Sequence, residues 1–147
     1  MNADRYRTTL QDQNGERRLI IEELLRDDFI RRAVVFTLDE ESRAESIFFN
    51  SSDLGTVYWD PENGLHDCRS WETEDHAREG TFLQRHYPII LHNGVQNDMY
   101  AHRIVSDVVE GFQNPALQDI ISRMDLGDPI QLDLNRFPIG ARGPASG

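Results

Sequence analysis

The residues best suited to chemistry gather in one stretch. All five histidines lie between His66 and His102, and the single cysteine, Cys68, falls among them. On a strand His66 and Cys68, two apart, would point to one face, and His86 or His92 from a following strand could complete a metal site. The stronger signatures of such a site are missing: there is no Cys-x-x-Cys, no His-Glu-x-x-His and no His-x-His. Cys68 has no glycine-rich elbow around it to supply an oxyanion hole, which a Cys–His nucleophile needs. The dense carboxylates Asp27-Asp28 and Asp39-Glu40-Glu41 fall at an expected helix end and in an expected hairpin turn, where charge runs are ordinarily solvated. No Gly-rich phosphate loop is present, and Asn63-Gly64 and Asn93-Gly94 read as turns. These residues predict a protein without catalytic, cofactor-binding or metal-binding residues. A small metal-dependent enzyme built on His66, Cys68, His86 and His92 ranks third among the functional readings.

Composition narrows the partners. Fifteen basic residues oppose 26 acidic ones, a net charge of −11 over 147 residues, and every basic residue is Arg. No basic stripe exists, so nucleic acid and anionic lipid are poor candidates, because phosphate contacts need clustered cations. A chain without Lys has no Schiff-base chemistry apart from its N-terminus. Arg can instead serve planar, bidentate contacts with carboxylates at interfaces, although codon bias or adaptation to salt accounts for the same composition. One cysteine allows no internal disulfide and fits a reducing compartment or a particle assembled inside a cell. The longest apolar run is four residues and the N-terminus lacks a signal-peptide pattern, so a cytoplasmic or virion location is expected, with no membrane segment.

The elements that would position these groups follow from periodicity. Residues 16–32 place Leu19, Ile20, Ile21, Leu24, Leu25, Phe29 and Ile30 at helical spacing, which predicts an N-terminal helix capped by Asn14. Asn14-Gly15 is equally a hairpin signal if both flanks are strands, and a short strand at residues 6–11 stays open. The runs AVVFTL (33–38) and SIFFN (46–50) then read as a hairpin around a charged turn, and TVYWD (56–60) meets the turn Pro61-Glu62-Asn63-Gly64. Residues 65–71 and 81–91 are expected to continue an antiparallel meander. Ala101, Ile104, Val105, Val108, Val109 and Phe112 form an apolar helical stripe, with Asn97 as its cap. A second helix opens with Asn114 as cap and Pro115 at its first position, carries Leu117, Ile120, Ile121 and Met124, and ends at Gly127. Residues 129–134 alternate like a last strand. The expected fold is α+β: one domain over 1–137, with both C-terminal helices packed on the sheet, and a flexible tail at 138–147.

The exposed positions best placed for contacts are Glu40, Glu41 and Arg43 at the hairpin tip, Arg136 and Arg142 near the C-terminus, and Tyr58 with Trp59. The aromatic pair and Trp71 could form a partner-binding patch or an ordinary cross-strand pair over the core. With residues 16–32 as helix, AVVFTL/SIFFN as hairpin and Asn114-Pro115-Ala116-Leu117-Gln118-Asp119-Ile120-Ile121 as helix, the chain resembles the tail-terminator and tail-completion (neck) proteins of tailed viruses. The resemblance covers most of the chain and rests on element order and size. It implies a non-enzymatic structural subunit, ring-forming or part of a larger assembly, with protein partners including copies of itself. The rival is an acidic binding protein, such as an immunity protein or nucleic-acid mimic, steered to a basic partner by its charge. The two differ in where the acids lie: one patch for an inhibitor, complementary Arg and acid patches for an assembly subunit.

Overall fold

The computed structural model describes residues 5–13, 16–25, 29–66, 98–126 and 129–142. Seven strands form one sheet in the order β6-β5-β4-β3-β2-β1-β7. They are β1 (Arg5–Gln13), β2 (Glu16–Leu24), β3 (Ile30–Leu38), β4 (Ala44–Ser51), β5 (Gly55–Asp60), β6 (Gly64–His66) and β7 (Gly140–Arg142). The first six run as an antiparallel meander, and β7 returns to pair with the outer edge of β1. Among the described residues two α-helices, α1 (Asp98–Phe112) and α2 (Pro115–Leu126), join the sheet in a single α+β domain.

The expected N-terminal helix at residues 16–32 is instead β2 and the start of β3, which lie side by side as antiparallel neighbours. The reason is burial on both faces of the sheet. Leu19 and Ile21 face the helices, whereas Ile20 belongs to a second cluster with Ala33, Val35, Phe48 and Tyr58 on the opposite face. A strand buried on both sides needs consecutive apolar residues rather than alternation, and such a run imitates helical spacing. The Asn14-Gly15 hairpin signal is the one that prevails. Gln13 and Glu16 are register partners, which leaves those two residues to connect β1 and β2.

The other elements agree more closely with the sequence reading. AVVFTL and SIFFN pair in β3 and β4, and TVYWD lies in β5. Asp60 Oδ1 accepts the backbone N–H groups of Glu62 (2.9 Å) and Asn63 (2.8 Å), and Gly64 takes φ 70°, so the turn closes by side-chain capping and a left-handed glycine. The α1 stripe from Ala101 to Phe112 is buried against the sheet. Gln113 at φ 52° breaks the helix, and Asn114 Oδ1 then accepts from Ala116 N at 2.9 Å as the cap of α2.

The predicted last strand is reduced to a bridge between Arg43 and Gln131, supported by Ala44 N→Ile130 O (2.7 Å) and Leu132 N→Ser42 O (2.9 Å). The tail expected at 138–147 is in part a strand, since residues 140–142 are β7. The expected strand at 65–71 is described only as far as β6, and that at 81–91 lies outside the described residues, as do Asn14, Asn97 and Gly127.

Candidate functional site

On the face beneath the helices, Tyr6, Glu23, Arg32 and Ser51 stand in one register row across β1, β2, β3 and β4. All four are polar, and α1 lays Asp107 and Gly111 over them. The Arg32 guanidinium donates to Glu23 Oε1 and to both oxygens of Asp107, from Nε at 3.2 Å and from NH2 at 3.3 Å. Ser51 Oγ donates to Asp107 Oδ2 at 3.0 Å and accepts from Leu54 N at 3.2 Å. Tyr6 presents its hydroxyl to Glu23 Oε2 (3.2 Å) and to the Gly111 carbonyl (3.3 Å). Glu23 is 3% exposed, so its charge depends on these partners.

A Cβ at Gly111 would come within 2.6 Å of Arg32 Cδ and 2.7 Å of its Nε, so a larger residue there would push the guanidinium away from its partners. Burial alone would lower the Arg32 pKa, but the hydrogen bonds it donates to Asp107 and the charge of Glu23 override it and hold the group more firmly protonated than usual. Burial, then the Glu23 carboxylate, push the Tyr6 hydroxyl above its ordinary value. Chemically this is a filled network. Every named group serves another, and the row fastens α1 to the sheet. Sequence reasoning missed it because residues 16–32 read as one helix, which puts Glu23 and Arg32 in no row with Tyr6 and Ser51.

The positions predicted for contacts divide into three kinds. At the β3–β4 turn Glu40, Glu41 and Arg43 are exposed as expected, yet Arg43 is already engaged. Its Nε donates to Asp39 Oδ2 at 2.9 Å and its NH2 lies 3.2 Å from Glu41 Oε2. Asp39 Oδ1 accepts the backbone N–H groups of Glu41 (2.8 Å) and Arg43 (2.9 Å), and these bonds hold its carboxyl below the usual carboxylate range. Gln131 Nε2 donates to Glu41 O at 2.8 Å, so the tip is braced from the C-terminal segment. Tyr58 and Trp59 are 4% and 5% exposed, on opposite faces of β5, and an aromatic contact patch is therefore overturned in favour of core packing. Alternation along the strand sends neighbouring residues to opposite faces, and both faces are buried. Arg136 is exposed and pairs with Asp119 at 2.9 Å, docking the short turn Leu134–Arg136 on α2. Arg142 lies in β7 as the register partner of Tyr6.

No family model, curated protein or solved structure matches this chain. Its function has to be argued from its own geometry. Among the described residues no three His, Cys, Asp or Glu side chains are grouped to hold a metal, and no helix is long and apolar enough to cross a membrane. Cys68, Trp71, His76, His86 and His92 lie outside the described residues, and His102 is exposed on α1.

The two sheet edges remain. β1 is nine residues long, but β7 covers its outer side only at Tyr6, Arg7 and Thr8. From residue 9 to residue 13 that side has no strand partner among the described residues. Both signs of charge occur at each end of the strands. Exposed Asp12, Glu40, Glu41 and Glu62 stand near Arg17, Arg18 and Arg43 where β1, β3 and β5 terminate, and Arg7, Arg31 and Arg32 stand among Glu22, Glu23, Asp53 and Asp107 at the other end.

Proposed function

We propose that this protein is a non-enzymatic assembly subunit whose copies join at the β1 edge of the sheet. The observation that carries the reading is the half-covered nine-residue edge strand. Open strand edges present unpaired N–H and C=O groups and template further strands, which monomeric proteins ordinarily blunt or cover. A ring or neck subunit of a tailed virus is the specific form suggested by element order. Of the three segments behind that resemblance, the hairpin and the Asn114-capped helix are present and the first helix is not.

A second reading, an acidic protein that binds a basic partner, is favoured by the exposed carboxylates gathered at the β3–β4 and β5–β6 turns. The absolute mass of the native protein by light scattering, at rising concentration and at low and molar salt, separates the two. Oligomers at either salt support assembly, and the direction of the salt effect reports whether screened repulsion between chains of charge −11 or screened Arg–carboxylate attraction dominates the contact. A monomer under every condition overturns it and leaves the acidic binding protein.

A further inference from the structure

We infer that β7 is an exchangeable strand that pairs with β1 of a second copy of this chain, an inference that rests on the assembly reading and names its contact. Residues 140–142 already fit the β1 edge within one chain, in the register Tyr6↔Arg142, Arg7↔Ala141 and Thr8↔Gly140. Every copy therefore carries both a donor strand and its acceptor, and the pairing formed between copies repeats the pairing formed within one.

The chain leading into β7 is built to allow the transfer. Phe137 is the last anchored residue, 3% exposed with its ring 6.3 Å from that of Phe36. Beyond it Pro138, Ile139 and Gly140 are all exposed. Gly140 sits at φ 129° with nothing within 4 Å of a Cβ position, which leaves it free to redirect the strand. Among the described residues β7 is held by three register pairs, a small part of the sheet, so releasing it costs little beside unfolding the domain. Short connections of this kind are where strand exchange between copies begins.

The short connection also fixes the partner's position. Three Cα steps from Phe137 to Gly140 reach about 10 Å, so an acceptor strand must lie close to the donor's own edge. Two copies consequently meet β1 edge to β1 edge, and reciprocal transfer about a two-fold axis closes the arrangement. Ile139, 58% exposed in the single chain, then falls at the junction between the copies.

The test uses full-length protein in a Cys68→Ser background with cysteines at two cross-strand pairs. Thr8→Cys/Gly140→Cys leaves the ion pair of Arg7 with Glu22 (2.8 Å) intact, and Arg7→Cys/Ala141→Cys repeats the trap without straining Gly140. Each variant is oxidised mildly at high protein concentration, while light scattering measures the mass of the unmodified chain. Exchange predicts a doubled mass on a non-reducing gel for either pair, together with an oligomer in solution. An oligomer in which both pairs close only within one chain, or fail to oxidise, overturns the exchange and leaves the assembly reading standing. A monomer with disulfides closed only within the chain overturns both.

Discussion

Arg meets carboxylates at both ends of the sheet, with opposite consequences. Under α1 the Arg32 guanidinium is 12% exposed and bridges Glu23, itself 4% exposed by its side chain, to Asp107. At the β3–β4 turn Arg43 is 53% exposed and pairs with Asp39 and Glu41 in water. The residue types are the same and the distances similar. Burial decides the weight of each: removing one partner from a desolvated network strands a charge, whereas an exposed pair exchanges one solvated partner for another. The first cluster therefore determines where α1 sits, and the second shapes a turn.

Arg32→Ala should break this contrast most severely. It leaves Glu23 and Asp107 without their shared cation and is expected to destabilise the domain by about 2–3 kcal/mol in urea denaturation. Gly111→Ala comes next, with an informative sign. A helical Gly→Ala change ordinarily stabilises by about 0.5–1 kcal/mol, but here the new methyl meets Arg32 at 2.6 Å, so a loss of about 1–2 kcal/mol is expected. In the Arg32→Ala background the same change should become neutral or stabilising, and a double-mutant cycle that shows simple additivity would refute the contact.

Two pH profiles sharpen the comparison. The Tyr6 hydroxyl titrates above its ordinary value when folded, so its contribution is complete below about pH 10 and fades as pH rises through the elevated folded value. Tyr6→Phe should cost about 1 kcal/mol at neutral pH and flatten the alkaline limb of the stability curve. The smallest effect belongs to the exposed turn. The Asp39 carboxyl titrates below its ordinary value, so its contribution is present above about pH 4 and is lost as pH falls through the depressed folded value. Asp39→Asn should remove that part of the acid limb and leave the alkaline limb unchanged, as thermal melts across pH would show.

The sequence, through local signals, determined the two described helices, the cap of α2 and the β5–β6 turn. The α1 stripe is spaced for one buried face, Asn114 caps α2 with its own side chain, and Asp60 with Gly64 closes the β5–β6 turn. Each of these depends on residues within about one helical turn or hairpin of each other. The hairpin of residues 33–50 was legible for the same reason. Tertiary structure alone decided what residues 16–32 become, because consecutive apolar residues suit a helix or a strand buried on both faces, and only the second face of the sheet distinguishes them. It alone buried Tyr58 and Trp59, aligned Tyr6, Glu23, Arg32 and Ser51 in one row, and brought residues 140–142 back to β1. These depend on register and on pairings between distant segments, and no spacing along one segment records which strand will lie beside it.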